Sequence, residues 1–297
     1  VGLTASVDTT DGKYGLVGDD PDPWKLSANI SETSDAGTYT ISGTATNGNY
    51  SVKFIDGTYT ITPRQVEIDF TLRGDEGGFT VTYSGKPQKM TAEVSGTVNG
   101  DVITAEVTYN TDDESAPVNV NADGYTAKAT LSGKKANNYY VTSTGSGTAE
   151  DEYVYLRYAE QDFTIAKAKL TVETYETDGT VVYGDEAVFG YNITGFVKDE
   201  TESVLEGTIA YTTNYAPGAA SDAAGGAYTV SYTEGSFTSG NYEISAAAET
   251  SFQVTAREVT LDLGSLIAES FVYGEAVGAS AGINETLPDS IKGDELG

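Results

Sequence analysis

A strand-like phrase with its exit occurs three times in this chain, as "GTYTITP" (Gly57 to Pro63), "QDFTIAK" (Gln161 to Lys167) and "SFQVTAR" (Ser251 to Arg257). An Asn-Tyr pair precedes each one, at Asn49-Tyr50, Asn138-Tyr139 and Asn241-Tyr242. A second landmark, "VTYSGKPQ", "VVYGDEAV" and "FVYGEAVG", places Tyr83, Tyr183 and Tyr273 at intervals of roughly 90–100 residues, the signature of tandem modules. The 297 residues then divide as 1–63, the later part of a first module; 64–166, a second with inserts at Thr111 to Val120 and Gly145 to Tyr155; 167–256, a third; and 257–297, the beginning of a fourth. The joins "ITPRQVEI", "IAKAKLTV" and "VTAREVTL" contain no Gly/Ser or Pro-rich linker, so stiff joints are expected. The sequence begins and ends abruptly and is expected to be a piece of a longer protein.

Within each period almost everything reads as strand. "TYTIT", "YTVSYT", "AEVTY" and "KLTVETY" alternate apolar and polar residues, as half-buried antiparallel strands do. Asn47-Gly48, Asp56-Gly57, Asn99-Gly100 and Ser239-Gly240 mark turns. One short helix, a turn or so long, is expected at "DETESVLEG" (Asp199 to Gly207), with Asp199 or Thr201 as its cap and Gly207 as its stop. "NETLPDSIKG" (Asn284 to Gly293) occupies the corresponding place in the fourth module. The fold class is therefore all-β: small, mainly antiparallel modules arranged as an elongated rod. Each is an immunoglobulin-like sandwich, favoured by the strand count, or a β-grasp-like sheet, favoured by the helix. Tyr50, Tyr139 and Tyr242 share one repeat position and are expected in the module cores.

Composition narrows the function. The hydrophobic share is 38%, which fits thin cores spread over several modules better than one large core. Acidic residues number 45 against 16 basic, a formal charge of −29. Such a surface repels nucleic acid and anionic membranes, and no stretch reaches the roughly 18 apolar residues of a membrane span. The chain has no Cys and no His, which removes the thiolate nucleophile, the commonest general base and the usual transition-metal ligands. Glycosidase chemistry needs two carboxylates about 5–9 Å apart in a cleft, and no aromatic-lined motif surrounds such a pair. The chain is expected not to be an enzyme.

The third module reads "YGDEAVFGYNITGFVKDETESVLEG", then "AYTVSYTEGSFTSGNYEISAAAETSFQVT". It resembles the MBG-type repeats of bacterial surface adhesins. In those repeats a Tyr-Gly-acid opening leads through Gly-Phe-Val and Val-Leu-x-Gly to Gly-Tyr-Thr-Ile, Asn-Tyr and aromatic-x-Val-Thr strands. The second module's "VTYSGKPQKMTAEVSGTVNGD" resembles the related Tyr-Asp-Gly repeat, with Ser84 where Asp is usual. The resemblance implies an extracellular array, cell-wall attached or secreted, that serves as a stalk in adhesion and hands over no catalytic residues. "LPDSI" (Leu287 to Ile291) lacks the Thr-Gly of a wall-sorting signal. The expected partners are neighbouring repeats, with a host glycan or protein as an alternative ligand. The chain is expected to be a monomer or a filament built by edge-strand donation.

Candidate sites are few. Three acidic clusters are candidates for calcium: Asp19, Asp20 and Asp22; Asp112, Asp113 and Glu114; and Glu150, Asp151 and Glu152. None has the spacing of an EF-hand loop, and the alternative is solvated loop acids. Trp24, in the loop-like "DPDPWKL", is the candidate ligand contact, the alternative being a plug for its module's end. Sequons at Asn29, Asn49, Asn192 and Asn284 are expected to stay bare in a bacterial protein. Lys–Asn isopeptide bonds staple some surface domains; Lys134, Lys135 and Asn137 supply the residue types, but no local motif demands the bond.

Overall fold

The computed structural model describes residues 15–17, 20–144, 154–218 and 221–260. Their regular secondary structure is almost entirely strand, and the two helical elements are single 3-10 turns, Ala136–Asn138 and Glu202–Val204. The chain forms two compact units. One comprises residues 1–81 and 87–165, the other residues 82–86 and 166–297. The short segment Thr82–Lys86 comes from the second copy of the repeat yet belongs to the unit of the third.

The third copy is a two-layered sandwich. Strand Ala168–Glu176 lies between Phe189–Thr194, which pairs antiparallel, and Tyr242–Ala246, which pairs in parallel. The second sheet runs in the order Thr180–Val182, Thr250–Thr255, Ala227–Tyr232, Tyr211–Thr213. Strict alternation in Ala168–Glu176 turns Ala168, Leu170, Val172, Thr174 and Glu176 inward. Val172, Tyr232 and Phe237 form one cluster between the layers, and Val181, Tyr215, Val230, Phe252 and Val254 form another. Buried Thr174 links the layers by donating from Oγ1 to the Val230 carbonyl at 3.3 Å. No described helix is long enough to make a helical layer, so the sandwich, not the β-grasp arrangement, is what forms.

The second copy repeats this plan. Its first strand is interrupted, as Arg64–Gln65 and Glu67–Leu72. Glu67–Leu72 pairs antiparallel with Met90–Ser95, and Arg64–Gln65 pairs in parallel with Tyr139–Tyr140. A four-stranded sheet holds Thr80–Thr82, Tyr158–Ala166, Tyr125–Ser132 and Thr104–Tyr109 in that order. Val66, Ile103, Leu131, Ala136 and Tyr139 make a buried cluster. The first copy contributes three antiparallel strands, Trp24–Ala28, Gly37–Ala45 and Gly57–Ile61.

Several expectations are corrected here. The region Asp199 to Gly207 holds one 3-10 turn; Thr201 sits at its start without a side-chain capping bond, and Leu205, not Gly207, ends it. Trp24 opens a strand instead of lying in a loop. Tyr139 and Tyr242 are core residues, but Tyr50 is only half-buried. The sheets also contain parallel pairs: the first strand of the second and third copies with the Asn-Tyr strand, and Thr180–Val182 with the closing strand Thr250–Thr255. "NETLPDSIKG" and "LPDSI" lie outside the described residues.

Candidate functional site

The recurring Asn-Tyr pairs organise a latch that all three copies carry. In the third copy the Tyr242 hydroxyl accepts from the backbone N–H of Val197 at 3.0 Å and donates to the Glu200 carboxylate. In the second, the Tyr139 hydroxyl accepts from Val98 N–H at 3.1 Å and donates to Asp101 at 2.7 Å. In the first, the Tyr50 hydroxyl accepts from Val17 N–H at 3.0 Å and donates to Asp20 at 2.6 Å. The phrases "VGDD", "VNGD" and "VKDE" therefore share one role: a valine N–H, two intervening residues, and an acid three positions on. The residue after the valine is left-handed in the second and third copies, with φ of 58° at Asn99 and 55° at Lys198. That turn lets the N–H and the carboxylate meet one hydroxyl.

The third-copy latch receives a further tyrosine. Tyr83 donates to Glu200 Oε1 at 2.6 Å, so the carboxylate takes one hydroxyl on each oxygen. The Tyr83 and Tyr242 rings meet edge to face with centroids 5.5 Å apart, a favoured aromatic geometry. The Asn241 amide also reaches the Tyr83 hydroxyl. At the second-copy latch, Asn138 has different partners: its Nδ2 donates to Asp35 at 2.8 Å, and its Oδ1 accepts from Ala36 N–H at 2.8 Å. In both places the Asn of the pair is held by residues of the preceding copy.

Burial and the neighbouring Glu200 carboxylate push the Tyr83 and Tyr242 hydroxyls up to about 12. Both disfavour the phenolate, burial by removing water and the carboxylate by like charge. An unfolded tyrosine ionises near 10. The folded value lies above the unfolded one, so this stabilisation is complete below pH 10 and is lost as pH climbs through 12. For one such tyrosine the difference corresponds to about 3 kcal/mol. Urea midpoints of the second unit are expected to fall between pH 9.5 and 12, and to fall less steeply in Tyr242→Phe. Parallel pH profiles for the two proteins would contradict this.

An open hollow of about 460 Å³ adjoins this latch, lined by Tyr191, Asn192, Ile193, Phe196, Glu200, Thr201 and Glu202. Its carboxylates are engaged from within. Glu200 takes the two tyrosines, and Glu202 accepts from Tyr191 at 2.7 Å, which together with burial raises the Tyr191 hydroxyl to about 12.

The acidic clusters take different places. Asp20 is the latch acid of the first copy and Asp22 is exposed; Asp19, Glu150, Asp151 and Glu152 lie outside the described residues. Asp113 closes its own loop: its Oδ1 accepts from the Ser115 hydroxyl at 2.7 Å and the Ser115 N–H at 3.1 Å, which holds its carboxyl below the usual range. Asp112 and Glu114 are exposed beside it. Among the described residues no three acidic side chains converge on a metal-holding position. Lys135 pairs with Asp35 at 2.5 Å, and that bond raises its pKa and keeps the amine protonated, the form that does not attack an amide. Trp24 is half-buried on the sheet of the first copy.

The arrangement defines an all-β, sandwich-like protein in which a tyrosine–carboxylate latch occurs at three places. No family model, no curated protein and no solved structure matches this chain.

Proposed function

We propose that this chain is a non-catalytic repeat region of a bacterial extracellular surface protein, a stalk that holds an adhesive part away from the cell. The observation that carries the reading is the latch itself, present in three copies and engaged by the preceding copy at two of them. A side chain spent on fastening one repeat to the next serves connection, not turnover. The join between the second and third copies supports it too. The closing strand ends at Ala166 and the next begins at Ala168, while the single residue between them, Lys167, donates to the Ser239 carbonyl at 2.8 Å. A charge of −29 suits a spacer that must stay soluble and stand off from anionic surfaces.

Single-molecule stretching tests this. A stalk of independently folded repeats gives successive unfolding events, each releasing about 30 nm of chain for some 90 residues. Small-angle scattering of the same protein is expected to report an extended particle. One cooperative rupture, or scattering from a compact globule, overturns the reading.

A further inference from the structure

One rim of the third-copy sandwich is an unprotected strand edge. Phe189–Thr194 ends its sheet and pairs only with Ala168–Glu176. In an antiparallel ladder, hydrogen-bonded residue pairs alternate with pairs whose backbone groups face outward. The bond from Thr177 N–H to the Val188 carbonyl sets the phase, so Gly190, Asn192 and Thr194 bond the neighbouring strand. Phe189, Tyr191 and Ile193 then direct their N–H and C=O away from the sheet. The Phe189 carbonyl accepts from the Tyr211 hydroxyl at 3.1 Å, as that phase requires. The backbone groups of Tyr191 and Ile193 have no partner among the described residues. Natural edges are usually blunted by lysine, proline or a bulge. "FGYNIT" has none of these and carries no charge.

The hollow beside the latch opens along this same edge. Tyr191, Asn192 and Ile193 line it together with Phe196, Glu200, Thr201 and Glu202. The registers Glu67↔Ser95 and Thr171↔Thr194 align the second copy with the third. Ala92 then stands at the place of Tyr191, Thr97 at that of Phe196 and Asp101 at that of Glu200. The latch acid is kept in kind, but the two rings are not, so they answer no need that the fold of a copy imposes. In the second copy Thr104–Tyr109 packs along Met90–Ser95, and the Tyr109 hydroxyl engages both the N–H and the C=O of Met90. In the third copy the 3-10 turn Glu202–Val204 intervenes before the corresponding strand, Tyr211–Thr213. The lining has two carboxylates and no basic side chain. Glu202 accepts from Tyr191 on Oε1, and its Oε2 has no described partner.

We propose that this edge is a docking site for an extended, basic segment of another protein, which adds as a strand beside Phe189–Thr194 and places an arginine in the hollow. Strand addition draws its affinity from main-chain bonds and its selectivity from pockets for alternate side chains. Here the N–H and C=O groups of Tyr191 and Ile193 supply the bonds. The guanidinium meets Glu202 Oε2 and lies against the aromatic lining, a setting that suits arginine better than lysine. The formal charge of −29 draws a basic partner and repels an acidic one. The site lies within the third copy, so the inference stands apart from the stalk reading.

Titrating the full chain with a capped peptide that alternates valine with arginine tests it, read by amide NMR and hydrogen exchange. Saturable binding is expected, weakening as salt is added. The amides of Tyr191 and Ile193 gain protection, while those of Gly190, Asn192 and Thr194, already paired, do not change. Ala92 and Val94, on the matching edge of the second copy, are expected to stay as they were. Glutamate in place of the peptide's arginines abolishes binding, and so does methylation of the backbone nitrogens on its pairing edge. Glu202→Gln keeps an acceptor for the Tyr191 hydroxyl but removes the charge, and is expected to weaken binding about tenfold. Absence of saturable binding overturns the proposal, as does equal protection of both edges. Binding that survives the glutamate peptide, the methylated peptide or Glu202→Gln overturns it too. A neutral oligosaccharide that shifts the amides around the hollow, where the peptide does not, assigns the hollow to sugar and overturns it as well.

Discussion

Truncating Tyr242 to alanine is expected to cost the second unit about 4 kcal/mol. Tyr242 is 2% exposed, and its ring is met edge to face by Tyr83 and, on centroids 5.8 Å apart, by Phe196. Removing it leaves a cavity among rings that two different loops hold in place, so collapse is incomplete. The hydroxyl adds its own share. Without it the Val197 N–H loses its acceptor and one oxygen of Glu200 loses its donor. Tyr242→Phe isolates that share and is expected to cost about 1–2 kcal/mol. Hydrogen exchange checks both values: amides of Leu170–Val172 and Tyr242–Ala246, paired in parallel, lose protection by these amounts. Equal costs for the two variants would mean that the ring packing contributes nothing, and the latch would have to be redrawn as a purely polar device.

The sequence shows the latch tyrosines but hides their partners, for a physical reason. Asn-Tyr recurs next to a strand with a fixed pattern, so its period is visible. The valine lies 33, 41 and 45 residues before the tyrosine in the three copies and the acid 30, 38 and 42, and loops of unequal length erase any period. A hydrophobic residue followed three positions later by an acid was the available signal. It is short, and in a chain with 45 acids it is easily read as solvated charge or as a calcium candidate, as with Asp20. The turn of helix expected there forms, but its cap and stop were misplaced by the same route. Acids after Asp199 suit a helix N-terminus, but Glu200 and Glu202 are taken by tyrosine hydroxyls, and one turn is all that forms. Strand identity was legible because side-chain alternation is local. Parallel pairing was not, because alternation is the same in parallel and antiparallel neighbours. Burial of Tyr139 but not Tyr50 follows from what surrounds a copy, which no local pattern encodes.

The second large effect separates backbone conformation from space at one repeat position. Gly195 and Gly96 both precede a latch valine by two residues and both are left-handed, with φ of 105° and 90°. Alanine is disfavoured there by about 1–2 kcal/mol on backbone grounds alone. At Gly96 the nearest atom to an added methyl is the Val66 Cα at 3.8 Å, an ordinary contact. At Gly195 the methyl would fall well inside contact distance of the Lys169 carbonyl oxygen, on the central strand of its sheet. That oxygen cannot swing away as a side chain would, so the loop must lift, carrying the Val197 N–H off the Tyr242 hydroxyl. Gly96→Ala is therefore expected to cost about 1–2 kcal/mol and Gly195→Ala about 4 kcal/mol. Urea unfolding followed by hydrogen exchange in each unit measures the two. Similar values would show that φ alone sets the preference for glycine. The larger loss at Gly195, with an opened Tyr242, would show that the latch turn is held against the first strand by close backbone approach.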